Sequence, residues 1–291
     1  MQKHAYMIMC HNNFELLQKL LILLDDEQND IYLHIDKKAK LFDHRKLFSS
    51  VKKSTLTLVK SVKVNWGGYS QIKVELLLLK EATKIEHSYY HLLSGVDLPI
   101  KTQSEIHRFF EENVGKEFVS VDNLTKNEDF FNRIGRYYFF QDFIGRRKGY
   151  RSALLETMES ISLSIQDIFH VKRKAYENTE IFKGTNWFSI THELAVYTLS
   201  KEKEIRKCFG YGLCADELFL QTIVMNSRFR NNLVNDSLRF IDWERGKPYT
   251  FSDEDFQLLI SSNKLFARKF DYEKCPGIVD KIFNKLSLES N

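Results

Sequence analysis

An α/β fold built on a mostly parallel sheet is predicted for this chain by three observations. Through the first hundred residues, short apolar runs alternate with stretches of helical periodicity. Each apolar run stops at a cluster of polar or glycine residues. The connections between runs have the length of crossover helices, which is what parallel strands require. The chain has 291 residues, of which 43% are hydrophobic and only 12 are Gly and 3 Pro. One large domain of 1–291 is therefore expected, with no long linker, internal repeat or low-complexity tract.

The elements follow in order. His4 to Cys10 is a buried strand, and Phe14 to Leu24 an apolar helix. Asp30 to Asp36 and Thr55 to Val59 are further strands, with a helix from Ser70 to Thr83 and a strand from Tyr89 to Ser94. Thr102-Gln-Ser-Glu105 is a capping box, in which hydroxyl and carboxylate satisfy each other's backbone amides, and opens a helix through Phe110. Between about Phe130 and Glu180 the pattern degrades into basic and aromatic helical segments. It returns as a strand over Gly184 to Thr191 and a helix over Glu193 to Leu199. Ser237 to Asp242 is a strand, Trp243 to Tyr249 a polar loop, and Ser252-Asp-Glu-Asp255 the cap of another helix. In open α/β sheets ligands bind beyond the carboxyl ends of the strands. Those ends carry Cys10-His-Asn-Asn13, His34-Ile-Asp36, Val64-Asn-Trp-Gly-Gly-Tyr69 and Ser94-Gly-Val-Asp97.

Composition excludes several classes. There is no GxGxxG and no Walker lysine loop, which disfavours Rossmann dehydrogenases and P-loop enzymes. The four cysteines, Cys10, Cys208, Cys214 and Cys275, lack zinc-site spacing and read as reduced thiols, favouring a cytoplasmic protein. No signal peptide is expected, and the longest apolar run, Leu16 to Leu24, is interrupted by Gln18 and Lys19. The net charge is only +4, but Arg133 to Lys174 holds nine basic and four acidic residues. That stretch is either a solvated insertion or a patch for an anionic partner.

Asp216-Glu217 stands ahead of the apolar run Leu218 to Met225. Asp216 can cap a helix there, leaving Glu217 to project from the helix mouth, where the positive end of the helix dipole favours the anion. An ionised carboxylate held in a fixed direction is what a general base needs. An ordinary acidic first turn gives the same pattern.

His34-Ile-Asp36, Tyr90 to Ile100, Gly184-Thr-Asn-Trp-Phe188, Asp216-Glu217, Phe240-Ile-Asp-Trp243 and Leu265-Phe-Ala-Arg-Lys-Phe-Asp271 together resemble, in order, the segments of the core-2/I-branching enzyme family, which includes peptide xylosyltransferases. The resemblance spans about Ala5 to Asp271 and implies a glycosyltransferase A-type fold in a bacterial member. Residues 1–110 would form the nucleotide-sugar half, 130–180 a variable insertion, and 181–271 the acceptor and catalytic half. It also implies an inverting reaction with a nucleotide-sugar donor. Glu217 would be the general base that deprotonates the acceptor hydroxyl, by analogy with the water-activating base of inverting glycosidases. No metal and no cofactor would be needed, because basic side chains neutralise the departing diphosphate. Lys269 falls on the family's lysine, and either Arg245 or Lys247 on its second basic residue.

Other positions keep two readings. Asp36 either ends a strand in solvent or binds the donor's uridine or ribose. Asp97 caps the turn before Pro99 or lines the donor pocket. Trp187 is core or offers a flat face to an acceptor sugar, beside Asp216 as a second acceptor contact. Asp253-Glu-Asp255 has a metal-like spacing but reads as a cap. The expected donor is UDP-N-acetylglucosamine, with UDP-xylose and UDP-galactose as rivals. The expected acceptor is a glycan or lipid-linked glycan in cell-surface polysaccharide synthesis, at the inner face of an anionic membrane. The competing readings are an idle glycan-binding module of the same fold and a basic nucleic-acid-binding protein. No nucleic acid is expected as a partner, since no known RNA or DNA module is present.

Overall fold

A computed structural model describes residues 2–39, 44–122, 132–145, 149–174 and 179–289. The first half runs β1 (His4–Cys10), α1 (Phe14–Leu24), β2 (Asn29–Ile35), α2 (His44–Ser49), β3 (Thr55–Val59), α3 (Ser70–Ala82), β4 (Tyr89–Ser94), β5 (Asp97–Pro99), α4 (Gln103–Glu112) and β6 (Glu117–Val119). The second half continues with α5 (Gln141–Ile144), α6 (Tyr150–Ile168), β7 (Phe188–Thr191), α7 (His192–Ser200), α8 (Glu202–Phe209), α9 (Phe219–Met225), β8 (Leu233–Val234), β9 (Arg239–Ile241), α10 (Phe256–Ser261), β10 (Phe266–Arg268) and α11 (Pro276–Glu289).

Seven strands form one sheet in the order β3-β2-β1-β4-β7-β6-β8, and β5-β10-β9 form a second. Strands β3, β2, β1 and β4 are mutually parallel, as their helical connections demand. β7 runs antiparallel to both β4 and β6, so the sheet is mixed rather than wholly parallel. The strand alternation decides which side each residue faces. Tyr6 and Ile8 enter one core with the leucines of α1, the smaller sheet and α11. Ala5 and Met7 enter the other, with α3, α7 and α9. Both faces of β1 are therefore buried, which is why it reads as a continuous apolar run.

The Thr102 capping box is present: the Glu105 amide donates to the Thr102 hydroxyl at 3.2 Å, and the Thr102 amide to the Glu105 carboxylate at 2.8 Å. The strand expected from Gly184 is shorter, beginning at Phe188. Gly184 instead passes so close to the Ser120 carbonyl that a Cβ on it would stand 1.8 Å from that oxygen. Its amide donates to the Glu217 carbonyl at 3.0 Å, which places the 184–187 segment beside the catalytic candidate.

Candidate active site

The carboxyl ends of β1 and β2 open into a cleft of about 530 Å³ lined by His11, Asn12, Asn13, Lys38 and Glu273, among others. Asp36 sits at the end of β2. It is buried, its carboxylate accepts the Lys38 amide at 2.8 Å, and it lies 3.5 Å from the Lys38 ammonium. Lys38 in turn donates to Asn65 Oδ1 at 3.0 Å and to the Val64 carbonyl. The loop after β3 is thus tied to the end of β2. Further along this loop the Gly67 carbonyl accepts the Cys214 amide at 2.9 Å. One turn into α3, Gln71 Nε2 donates to Asp216 Oδ2 at 2.7 Å. The segment from the loop after β3 to the start of α3 is thus hydrogen-bonded both to Lys38 at the cleft edge and to Asp216.

That pair lies in a single 3-10 turn, Ala215–Glu217, just before α9. Neither acid's side chain caps α9, whose N-cap residue, Leu218, makes no side-chain hydrogen bond. This corrects the capping role expected of Asp216. Its side chain turns inward to Gln71 and is buried. Burial, reinforced by the adjacent Glu217 carboxylate, raises the Asp216 carboxyl to about 7. Asp216 is accordingly a supporting residue rather than an acceptor contact. One turn of α3 beyond Gln71, Glu75 is wholly buried with neither carboxylate oxygen bonded, and burial raises its carboxyl well above the usual range. Neutral Glu75 is the form such a site tolerates.

Glu217 is more exposed than Asp216. Its Oε2 accepts from Arg133 Nη1 at 2.7 Å, and its Oε1 accepts nothing among the described residues. Glu217 therefore does not project freely from the helix mouth but is paired with Arg133. Arg133 holds one oxygen and fixes the carboxylate plane, while the other oxygen stays open.

Around the smaller sheet the expected donor residues divide. Asp97 is wholly buried; it accepts from the Ser94 amide at 2.8 Å and the Ser94 hydroxyl at 2.6 Å. It also pairs with Arg268 Nε at 3.2 Å. A carboxylate with no exposed surface cannot line a donor pocket, so Asp97 is corrected to a residue that positions Arg268. The Arg268 guanidinium lies 4.0 Å from the centre of the Trp187 ring, within cation–π range. One face of Trp187 is thereby occupied and only 5% of the residue is exposed, which corrects the expectation of a free sugar platform. Lys269, next to Arg268, is half-buried, and no ion pair of its ammonium is seen among the described residues.

The loop after β9 separates the two alternatives for a second basic residue. Arg245 is spent on Asp242 at 2.5 Å and Asp255 at 2.7 Å, and it stacks on Tyr249 at 4.1 Å. These contacts hold the loop together and leave Arg245 partly exposed. Lys247 is exposed without such partners. Its loop runs beside Lys269, whose carbonyl accepts the Phe251 amide at 3.0 Å. The Asp253–Asp255 spacing is a cap, with the Asp255 carboxylate accepting the Ser252 amide at 2.8 Å, while Asp253 pairs with Lys281 at 3.3 Å. Among the described residues no three His, Cys, Asp or Glu side chains gather into a metal-holding group.

The sequence profile described as Core-2/I-Branching enzyme matches residues 4–259. The chain belongs to the core-2/I-branching enzyme family. Within it, the chain is 25% identical over 272 residues to Xylosyltransferase sqv-6 of Caenorhabditis briggsae, covering 82% of this chain and 31% of that protein. It is 24% identical over 301 residues to human Xylosyltransferase 2, covering 92% of this chain and 32% of the relative. It is 23% identical over 300 residues to Beta-glucuronosyltransferase GlcAT14B of Arabidopsis thaliana, covering 95% of this chain and 64% of the relative. The chain spans about a third of the length of the xylosyltransferases it matches. The solved structure of mouse Xyloside xylosyltransferase 1 covers 92% of this chain and 97% of its own at 12% identity, with a TM-score of 0.40, too low to add to the family assignment.

For this family member, the site residues missed in the sequence are Arg133, Gln71 and Arg268. Arg133 and Gln71 reach the acidic pair from distant segments. Arg268 lies in a charged Arg-Lys pair, yet its side chain is only 16% exposed. Its spacing from Asp97 in the chain gives no hint that β5 and β10 pair, with Arg268 opposite Asp97 in register.

Proposed function

We propose that this chain is a glycosyltransferase that inverts the anomeric centre of a UDP-sugar, with N-acetylglucosamine the first choice, as it passes to a glycan or lipid-linked hydroxyl. The observation that carries this reading is Glu217: one carboxylate oxygen accepts from Arg133, the other accepts nothing among the described residues, and the side chain is 37% exposed. In the reaction the acceptor oxygen attacks the anomeric carbon as the bond to the diphosphate breaks. Glu217 Oε1 takes the hydroxyl proton, and the electron pair of the breaking bond leaves with UDP. Asp36 and Lys38 stand where the donor's nucleoside end would enter. Lys269 and Lys247 are the cations proposed to meet charge developing on the leaving diphosphate, each as a point charge. The proposal extends to a cytoplasmic, peripheral enzyme of cell-surface polysaccharide synthesis that needs no metal.

The test is UDP release from a panel of sugar nucleotides with glycan acceptors, with and without EDTA. Glu217→Gln preserves shape but cannot accept a proton, and transfer is expected to fall by about 10²–10⁴-fold with UDP affinity nearly unchanged. Lys269→Ala is expected to cost roughly 2–4 kcal/mol of transition-state stabilisation. Glu217→Gln activity within threefold of the parent would remove Glu217 as the base. Donor binding without turnover on any acceptor would favour a glycan-binding module. Activity lost in EDTA and restored by Mn²⁺ would assign the diphosphate charge to a metal instead of lysine.

A further inference from the structure

Helix α6 carries its larger apolar face outward. Its fully buried residues are Ser152, Glu159 and Gln166, spaced by seven and all polar, with half-buried Leu155 and Leu163 on the same side. Two of them bond backbone. The Glu159 carboxylate accepts the Phe139 and Phe140 amides at 3.2 and 2.6 Å, and Gln166 bonds both the amide and the carbonyl of Tyr137 at 2.8 and 2.9 Å. On the other side, Tyr150, Leu154, Met158, Ile161, Ile165 and Ile168 are exposed, from 41% for Met158 to 85% for Tyr150. At about 100° per residue these six fall within an arc of roughly 100°, a continuous apolar stripe along the whole helix. Phe169, 73% exposed, extends it past the last turn. A soluble helix normally shows the opposite arrangement, and an apolar strip of this length on a monomer marks an interaction surface.

Charge identifies what covers it. Arg151 projects on the rim of the stripe, and exposed Lys172 and Lys174 follow its far end. The acids are turned elsewhere: Glu159 is buried, while Glu156 and Asp167 fall on the side away from the stripe by the same helical spacing, and Asp167 pairs with Arg136 at 3.1 Å. A second copy packed helix to helix would set one positive rim against another. No helix among the described residues is long and apolar enough to cross a membrane, and the Glu159 and Gln166 hydrogen bonds tie the inner side of α6 to residues 137–140. An apolar face rimmed by basic residues is the pattern of a helix lying in the plane of an anionic lipid surface.

We propose that α6 is a membrane-docking helix whose Tyr150-to-Ile168 stripe enters the headgroup region of an anionic lipid monolayer while Arg151 and Lys174 face the lipid phosphates. The stripe does not depend on the transfer reaction, so the two readings fail separately. The experiment is co-sedimentation of the full chain with vesicles of phosphatidylcholine alone or with about a third phosphatidylglycerol. The parent is expected to bind the anionic vesicles at least tenfold more tightly than neutral ones. The triple variant Leu154→Ser, Ile161→Ser, Ile165→Ser is expected to lose at least tenfold of that binding while keeping transfer to a soluble acceptor. Arg151→Glu, which leaves the apolar stripe intact, is expected to lose severalfold. Equal binding to both vesicles, no binding to either, or unchanged binding by the triple variant would each overturn the proposal. So would a parent that is a dimer in solution and becomes monomeric in the triple variant. If the triple variant does not fold, Arg151→Glu decides alone: retained anionic preference overturns the proposal.

Discussion

The four parallel strands β3-β2-β1-β4 and helix α6 are built on opposite rules. In the sheet, Tyr6, Ile8, Ile31 and Leu33 point into an apolar core, and charges such as Asp36 are held back to the strand ends. In α6 the buried positions are Ser152, Glu159 and Gln166, with Leu155 and Leu163 half-buried beside them, and the longer apolar stripe faces out. Burial of apolar area drives the first arrangement. The second is held on the protein by side-chain hydrogen bonds to the backbone of 137–140, each of modest net worth in stability. A strand core specifies shape, whereas an inverted helix reserves its apolar surface for something outside the chain.

The sharpest contrast is a pair of truncations of similar chemistry. Leu33 is fully buried, so Leu33→Ala removes packed methyl groups and leaves a cavity, at an expected cost of about 2–5 kcal/mol. Ile161 is 55% exposed, and Ile161→Ala is expected to change stability by no more than about 0.5 kcal/mol. Urea unfolding of the two variants measures both. A loss at Ile161 comparable to that at Leu33 would mean that the α6 stripe is internal core, and the distinction would collapse.

The same contrast explains what the sequence reveals. Strands β1, β2 and β4 are legible because their apolar runs are continuous and their helical crossovers have the expected length. The Thr102 and Ser252 caps are legible because their partners lie three residues away. Glu217 is legible as a candidate because the acidic pair adjoins an apolar run. The partners of that pair are not: Gln71 and Arg133 lie 145 and 84 residues away from Asp216 and Glu217. No local spacing records those contacts. Of the smaller sheet only β9 is legible, within Ser237 to Asp242; β5 and β10 are each three residues long, too short for a period. Nor does α6 announce its orientation, since an amphipathic period gives the angle between the two faces but not which one meets the protein.

A second break-point tests whether the interior beside the site carries polar strain. Asp216 titrates near 7 when folded against 3.8 as the reference for an unfolded carboxyl, with burial the main cause. Between about pH 4 and pH 7 the native state therefore holds a proton that the unfolded chain has released, and stability falls as pH rises through that window. Asp216→Asn removes this titration while keeping an acceptor for Gln71. The variant is expected to match the parent below pH 4 and to exceed it by about 2–4 kcal/mol above pH 7. Denaturation at pH 3.5, 6 and 8 reads the difference. A gain independent of pH would show that Asp216 is not held as a buried acid.

The smallest of these effects probes the inner face of α6 directly. Glu159 is buried and its two oxygens accept the Phe139 and Phe140 amides, so Glu159→Ala leaves two part-buried backbone donors without that partner. Leaving buried donors unpaired costs about 1–3 kcal/mol. Glu159→Gln retains one acceptor oxygen and is expected to recover part of that loss. Glu159→Leu fills the space but supplies no acceptor. If the inner face of α6 is held by backbone hydrogen bonds, Leu is expected to be no better than Ala; if it is held by packing, Leu restores or exceeds the parent. Thermal melting of the three variants separates these outcomes, and amide exchange at Phe139 and Phe140 locates the change. A stabilised Glu159→Leu would make α6 an ordinary packing helix on its inner side and leave its exposed apolar stripe as the only feature that departs from the rule of the sheet.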